Sequence, residues 1–292
     1  MISIECVDDA KARVGETALW DAEEAALFWA DIDAGRLFRF EPGKGPVASW
    51  DIGEKVGCLA IRRAGGAMIA TESGIYSFDF ATGDKLKVAD PEADRPENRF
   101  NDCVTDRQGR WWIGSYGMMK PQRPEAAFYR MDADGTLTRW LDGIYTTNGL
   151  AFSPDGKTMY FSDSHPDVRT VWAADYDIET GTPSNQRMFF DTRSVAGRPD
   201  GGTVDVDGCY WMAGVGGWQV LRITPEGKVD LAIDMPVERP SKPAFGGPDM
   251  KTLYVTSIGM GVSEGTVQPQ AGGLFAITGL PVGGLPSDRF AG

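Results

Sequence analysis

Histidine is nearly missing from this chain, since His165 is the only one among 292 residues. A histidine-based metal site and a serine–histidine triad are therefore not expected, and no G-x-S-x-G motif is present. The four cysteines, Cys6, Cys58, Cys103 and Cys209, are far apart and form no C-x-x-C pair, which argues against a zinc ribbon or a redox motif. We expect four reduced thiols and a solvated His165 in its loop.

Basic residues are in the minority, with 29 Lys and Arg against 42 Asp and Glu and a net charge of −13. This balance repels phosphate and argues against nucleic acid or an anionic membrane as a partner. No apolar run approaches the roughly 18 residues of a membrane span, and the N-terminus lacks the features of a signal peptide. No glycine-rich phosphate loop precedes a helix, so no nucleotide is expected. These features together predict a cytoplasmic protein.

Six short segments rich in aromatic and β-branched residues recur along the chain and are predicted to be strands. The third residues of these segments, separated by 40, 44, 48, 51 and 43 positions, are Trp29, Ile69, Ile113, Phe161, Met212 and Val255. Each segment follows a turn and precedes another strand, and the spacing is typical of propeller blades. The chain is therefore predicted to be all-β: a six-bladed β-propeller with four antiparallel strands per blade, formed by residues 1–292 as a single domain.

The ends of the chain indicate how the ring closes. Residues 279–292 are rich in Gly and Pro and make a poor strand, whereas residues 2–7 read Ile-Ser-Ile-Glu-Cys-Val. We expect this N-terminal strand to complete the sixth blade and to close the ring. Three tryptophans, Trp111, Trp112 and Trp211, are expected to fill the core between blades.

The start of each innermost strand faces the channel, where propellers usually bind ligands. Two carboxylates and two amides occupy four of these positions. The like charges of the carboxylates repel each other in a partly dry channel, and a bound cation would remove that cost. Oxygen ligands favour calcium, magnesium or manganese, and leave zinc or ferrous iron open. Any one of these residues alone is explained by local hydrogen bonding. Counting back 12 or 13 residues from the six reference positions gives Glu16, Gly57, Asn101, Asn148, Asp200 and Pro243.

Two arginines precede these residues at the same interval. Arg99 lies two positions before Asn101, and Arg198 lies two positions before Asp200, so each is expected on the same strand face as the residue it precedes. Each arginine either pairs with an acidic neighbour or holds a polar substrate.

Five short motifs span most of the chain. They are Gly15-Glu16, Arg99-Phe100-Asn101-Asp102, Thr147-Asn148-Gly149-Leu150, Pro199-Asp200-Gly201 and Phe245-Gly246-Gly247-Pro248-Asp249. Together they resemble the SMP-30/gluconolactonase/regucalcin-like family, six-bladed propellers that hydrolyse sugar lactones with one divalent metal. The resemblance implies that Glu16, Asn148 and Asp200 bind a divalent metal, whether calcium, zinc, manganese, magnesium or ferrous iron. It also implies that Arg99 and Asn101 bind substrate hydroxyls or the ring carbonyl.

The chain departs from the family pattern at two places that shape the pocket wall. The usual Gly-Pro after the glutamate is Thr17-Ala18, and the common Gly-Thr-Met is replaced by Gly114-Ser115-Tyr116-Gly117. The resemblance thus leaves the particular lactone open.

The resemblance implies metal-dependent hydrolysis of a small-molecule sugar lactone to the aldonic acid, with the metal as Lewis acid and Asp200 as general base. The protein would be a monomer or a weak homo-oligomer. Two alternatives stay open: a metal-dependent phosphotriesterase or aryl-esterase, and a non-catalytic calcium-binding or protein-interaction propeller. Arg99 and Asn101 beside the carboxylates favour an enzyme. If Arg198 faces the pocket, an acidic sugar lactone becomes a candidate substrate.

Overall fold

A computed structural model describes residues 1–292 and contains 24 β-strands. The strands form six sheets of four strands each, paired antiparallel throughout. The one helical segment is a 3-10 turn at Thr192–Ser194. No helix has the length and apolar character needed to cross a membrane. The predicted all-β six-bladed β-propeller is therefore confirmed.

The first three blades each run from an inner to an outer strand. Blade 1 consists of β2 (Gly15–Asp21), β3 (Ala26–Asp31), β4 (Arg36–Glu41) and β5 (Gly45–Asp51). Blade 2 consists of β6 (Val56–Ile61), β7 (Ala67–Thr71), β8 (Gly74–Phe78) and β9 (Lys85–Ala89). Blade 3 consists of β10 (Asn98–Thr105), β11 (Trp111–Gly117), β12 (Ala126–Met131) and β13 (Leu137–Ile144).

The other three blades repeat this order, but the last takes its outer strand from the N-terminus. Blade 4 consists of β14 (Thr147–Phe152), β15 (Thr158–Asp163), β16 (Thr170–Asp177) and β17 (Thr182–Asp191). Blade 5 consists of β18 (Arg198–Val204), β19 (Tyr210–Val215), β20 (Gln219–Ile223) and β21 (Val229–Asp234). Blade 6 consists of β22 (Pro240–Gly246), β23 (Thr252–Ser257), β24 (Leu274–Thr278) and β1 (Ser3–Asp8).

The ring closes through β1, which pairs antiparallel with β24 from Ser3 opposite Thr278 onward. The predicted closure is confirmed, with the strand starting one residue later than expected. Residues after β24 cross the end of the channel that lies opposite the inner-strand starts. Gly284 bridges to Asp205 of blade 5, and Phe290 bridges to Arg62 of blade 2. This tail leaves the other end of the channel as the route for ligands.

The core lies between neighbouring blades. Trp111 is buried among residues of blades 2 and 3, Trp112 among residues of blades 3 and 4, and Trp211 packs on Phe245 across blades 5 and 6. The predicted role of these tryptophans is confirmed. All four cysteines are free, and three of them are buried. Because each blade covers its apolar faces with its neighbours, the ring forms a rigid frame around the channel.

Every inner strand is interrupted by a bulge near its start, where the register with the second strand shifts. Bulges re-aim side chains, and here they lie at the level of the channel mouth. In blade 6, Pro240 pairs with Ser257 as Pro199 pairs with Gly214 in blade 5, so Ser241 is the equivalent of Asp200. The sequence-based choice of Pro243 was wrong, because this hairpin is longer than the count assumed.

Candidate active site

The inner-strand starts surround a cavity of about 650 Å³, a volume typical of small-molecule sites. The bulges turn side chains from blades 1, 3, 4 and 5 toward the same space. All five residues predicted for the site line this cavity together: Glu16, Arg99, Asn101, Asn148 and Asp200.

Two buried carboxylates meet at the floor of the cavity. Glu16 and Asp200, each 5% exposed, come from blades 1 and 5 and lie within hydrogen-bonding reach of each other. Apart from Glu16, no protein group donates a hydrogen bond to the Asp200 carboxylate, and Glu16 Oε2 accepts one from the Thr17 N–H at 3.1 Å. The pair lacks the donors that normally stabilise buried negative charge.

The pKa values of this pair reflect that environment. Burial, followed by the charge of Asp102, raises the pKa of Asp200 to about 7. Burial, followed by the charge of Asp200, raises the pKa of Glu16 well above its usual range. At neutral pH the two carboxyls therefore hold a proton between them unless a cation takes its place.

A chain of hydrogen bonds connects the other predicted site residues. Asn101 Nδ2 donates to Asn148 Oδ1 at 3.1 Å and to the Thr147 carbonyl at 2.7 Å. Asn148 Nδ2 donates to Ser164 Oγ at 2.7 Å, which leaves the Asn148 oxygen turned toward Asn101 and the cavity. Both N–H groups of Asn101 are thus used within the protein, so Asn101 positions its neighbours and has no free donor for a substrate.

Arg99 is held at one nitrogen only. Its Nη1 donates to Asn101 Oδ1 at 2.7 Å and to the Phe100 carbonyl at 2.8 Å, and the guanidinium carbon lies 4.7 Å from the centre of the Tyr116 ring. Burial lowers the pKa of Arg99, but a guanidinium stays charged in proteins. Nε and Nη2 have no protein acceptor, so this arginine can donate to a ligand.

Sequence reasoning missed an ion pair beneath the two carboxylates. Lys242 Nζ lies 2.6 Å from Asp102 Oδ1, and Asp102 Oδ2 accepts from the Leu150 N–H at 2.9 Å. Both charged side chains are buried. Asp102 stands inside the motif that contains Arg99 and Asn101, whereas Lys242 has no motif, and only the register of β22 places it in the channel.

His165 was predicted to be a solvated loop residue, and this prediction was wrong. Its side chain is 16% exposed, its ring stacks on Tyr145 with centroids 4.1 Å apart, and it lines the cavity. The reason is that the loop after β15 folds over the cavity mouth. Arg239, at the start of the blade 6 inner strand, lines the cavity as well and was also missed.

The donor set fits a divalent cation. Lys242 is paired with Asp102, whereas the buried carboxylates of Glu16 and Asp200 form no ion pair with any lysine or arginine. No group of three or more His, Cys, Asp or Glu side chains is arranged to bind a metal. The amide oxygen of Asn148, which lines the same cavity, offers a further oxygen beside the two carboxylates. Carboxylate and amide oxygens suit calcium, magnesium or manganese.

The chain is similar to known proteins along most of its length. A model of the family described as SMP-30/Gluconolactonase/LRE-like region matches residues 14–259. Regucalcin of Danio rerio is 36% identical over 100% of this chain and 99% of its own length. The 6-deoxy-6-sulfogluconolactonase of Pseudomonas putida is 36% identical over 99% of both chains.

A solved structure described as a calcium-binding protein, regucalcin, from Agrobacterium tumefaciens superposes with a TM-score of 0.92 at 28% identity. It covers 99% of this chain and 97% of its own. The match extends over the whole ring of blades, and the family model covers all six inner strands. The chain therefore belongs to the SMP-30/gluconolactonase/LRE-like family.

Proposed function

We propose that this protein hydrolyses a sugar lactone to the corresponding aldonic acid, with one divalent cation held by Glu16, Asn148 and Asp200. One observation carries the proposal: the Asp200 carboxylate, whose one hydrogen-bonding neighbour is Glu16, and the free nitrogens of Arg99 line the same cavity. A proton acceptor and a fixed positive charge thus face the place where a lactone carbonyl would sit. The name of the Pseudomonas putida relative, a lactonase, supports the same substrate class.

Asp200 is the proton acceptor in this proposal. Its carboxylate lines the cavity and is contacted by no protein donor except Glu16, so it is placed to accept a proton there. It would take a proton from the water whose oxygen attacks the lactone carbonyl carbon. A bound divalent cation would supply Lewis acidity, since it polarises a carbonyl and lowers the pKa of water.

Arg99 would stabilise the negative charge that develops on the carbonyl oxygen. Its Nε and Nη2 are free to donate, and Asn101 fixes the guanidinium before the substrate arrives, so little reorganisation is needed during the reaction. The ring C–O bond then breaks, and the proton held by Asp200 returns to the departing ring oxygen. The product is an open-chain hydroxy acid, and Asp200 is again a carboxylate.

Two other functions predict different behaviour at the same site. A propeller that only binds calcium gains nothing from a free guanidinium beside the carboxylates, yet Arg99 is held there by its hydrogen bonds to Asn101 and Phe100. A phosphotriesterase or aryl-esterase would use the same carboxylates, but it would turn over a phosphotriester or an aryl ester faster than a lactone.

A pH-stat assay distinguishes these functions. The protein is treated with a chelator and then assayed on several aldonolactones, a phosphotriester and an aryl ester, with each divalent cation added in turn and spontaneous hydrolysis subtracted. We expect lactone hydrolysis to fall at least about 100-fold on chelation and to return with added cation. Circular dichroism should show the propeller still folded without metal, because blade packing supplies most of its stability.

Three outcomes would contradict the proposal in different ways. Full activity in the presence of chelator would remove the cation from the reaction. Faster turnover of the phosphotriester or of the aryl ester would assign the site to that chemistry. Cation binding without hydrolysis of any substrate would identify a binding propeller.

A further inference from the structure

The cavity has a second tier of residues above the proposed cation site. The first tier contains Glu16, Asn101, Asn148 and Asp200 and the equivalent residues of the other two blades. In each of the six blades, the residue two positions earlier in the sequence also lines the cavity. Four of these six residues carry a positive charge, although acidic residues outnumber basic ones 42 to 29 in the chain as a whole. In blade order the six are Val14, Lys55, Arg99, Thr146, Arg198 and Arg239.

Two of the four cations already have partners. Lys55 Nζ lies 3.5 Å from Asp33 Oδ1, and Arg99 is held by Asn101 and the Phe100 carbonyl. The guanidinium of Arg99 is needed at the reacting carbonyl in the proposed function. Lys55 is therefore already paired, and the free nitrogens of Arg99 are assigned to the lactone carbonyl.

Arg198 and Arg239 are different, because neither forms an ion pair. The guanidinium of Arg198 makes no hydrogen bond to the protein. Arg239 donates from Nη1 alone, to the Met260 and Gly261 carbonyls at 2.6 and 3.1 Å, so its Nε and Nη2 are free. Both arginines are partly buried and come from adjacent blades.

Two partly buried guanidinium groups on neighbouring blades repel each other unless an anion lies between them. Glu238 lies beside the two arginines, but its carboxylate accepts hydrogen bonds from Ser263 and Gln268 and forms no ion pair with either of them. Asp200 is more deeply buried and belongs to the proposed cation site. The planar N–H forks of arginine match the oxygens of a carboxylate or a sulfonate. Free N–H groups on both arginines can therefore bind one oxyanion from two sides.

We propose that Arg198 and Arg239 form an anion subsite, and that the substrate is a sugar lactone with a carboxylate or sulfonate far from the lactone carbonyl. This inference rests on the proposed function. In a six-bladed ring, blade 3 lies opposite blade 6, so a substrate whose carbonyl contacts Arg99 directs its far end toward Arg239. The subsite would select anionic lactones over neutral ones of the same length.

The test measures kcat/KM for three lactones with the wild-type protein, Arg198→Met, Arg239→Met and the double variant. Glucono-1,5-lactone is neutral, glucaro-1,4-lactone carries a carboxylate, and 6-deoxy-6-sulfogluconolactone carries a sulfonate. The wild-type protein should have its highest kcat/KM on a charged lactone. Comparison of the carboxylate-bearing with the sulfonate-bearing lactone shows which oxyanion is preferred. Each single variant should lower kcat/KM on that lactone about 10- to 100-fold more than on the neutral lactone, as expected for a lost charge-assisted hydrogen bond.

Arg36→Met is the matched control. It removes the same charge from an exposed position at the start of β4, where Arg36 makes no ion pair, so it should leave all three rates unchanged. Calorimetric titration of the same divalent cation into each variant tests whether the cation site is intact.

Equal losses on neutral and anionic lactones, or no preference for either anionic lactone in the wild type, would overturn the anion subsite while leaving the lactonase proposal standing. If no lactone is hydrolysed, binding of the glucarate dianion and of neutral sorbitol is compared by calorimetry. Tighter glucarate binding that is lost in the double variant would support the subsite independently of catalysis. Equal binding of the two would reject it.

Discussion

Lys242 and Asp102 form an ion pair beneath the carboxylates at the floor of the cavity, with 2.6 Å between Nζ and Oδ1. Burial alone would lower the pKa of Lys242, but the charge of Asp102 and the hydrogen bond to it raise this pKa above its usual value. The ammonium group is therefore charged at neutral pH. It compensates one of the three buried carboxylates and leaves the other two, Glu16 and Asp200, for a divalent cation.

Lys242→Met should destabilise the protein strongly, because it leaves Asp102 charged and buried without a partner. We expect the free energy of unfolding to fall by about 3 to 5 kcal/mol, as when one partner of a buried ion pair is removed. The measurement is denaturant unfolding of the metal-free protein.

The double variant Lys242→Met with Asp102→Asn is the control for this prediction. It removes both charges, so its loss should be smaller than the sum of the two single losses. Additive losses would mean that the two side chains do not stabilise each other.

Asn101→Ala tests the hydrogen-bond chain between Arg99 and Asn148. Without the Asn101 amide, the guanidinium loses its acceptor at 2.7 Å and Asn148 loses a donor at 3.1 Å. We expect kcat/KM on a lactone to fall about 100-fold, because misplaced groups reduce effective concentration at the reacting centre. If Asn101 acts through Arg99, Asn101→Ala with Arg99→Met should be no worse than Arg99→Met alone.

An additive double variant would show instead that Asn101 contacts the substrate independently of Arg99. Steady-state kinetics on one lactone decides between the two roles. Thermal unfolding of each variant shows whether the fold is retained.

Much of the fold could be predicted from the sequence because the repeat is regular. One aromatic and β-branched segment per blade, such as Trp111-Trp112-Ile113-Gly114, marks a strand that is buried on both faces. The N-terminal closing strand followed from the poor strand character of residues 279–292. The path of that tail across the channel could not be predicted, since it depends on tertiary contacts such as the paired hydrogen bonds from Arg289 to Asp21.

The site could be predicted only where oxygen-bearing side chains recur at equivalent positions of the blades. Equivalent strand starts carry Glu16, Asn148 and Asp200. Their position in the blade and their residue type therefore pointed to the same site. Lys242 and Arg239 were missed because the long hairpin of blade 6 displaces the count by two residues. His165 was missed because its place at the cavity mouth depends on how a loop folds.

The stability of the metal-free protein should depend on pH through Glu16 and Asp200. Folding raises both pKa values, that of Asp200 to about 7, so the folded state holds protons more tightly than the unfolded state. The contribution of these two raised pKa values to the free energy of unfolding is therefore fully present below about pH 4, where the carboxyls of the unfolded chain are protonated. It is lost as the pH rises toward 7. A divalent cation should reverse this loss by neutralising the ionised pair.

Thermal unfolding with and without cation tests this dependence. The rise in Tm on adding cation should be larger at pH 8 than at pH 5.5. The apparent affinity for the cation should fall about tenfold per pH unit below 7 for each proton that competes with it. Glu16→Gln with Asp200→Asn should abolish the pH-dependent part of the shift. A shift of equal size at both pH values would mean that the cation binds elsewhere.

Asp200 is proposed both to bind the cation and to accept a proton, and Asp200→Asn separates the two roles. The variant keeps the shape of the side chain and removes its charge. If Asp200 only binds the cation, raising the cation concentration should restore activity, because occupancy follows mass action. If it is also the general base, we expect a defect of about 10²- to 10⁴-fold to persist at saturation.

Glu16→Gln is the matched variant for this experiment. Glu16 is as buried as Asp200 and comes from blade 1, but it has no proposed role in proton transfer. Its activity should therefore recover more completely as cation is added. Turnover is measured across a cation titration for both variants, and calorimetry confirms saturation separately. Full recovery of Asp200→Asn would leave Asp200 as a cation ligand and assign proton transfer to another group in the cavity.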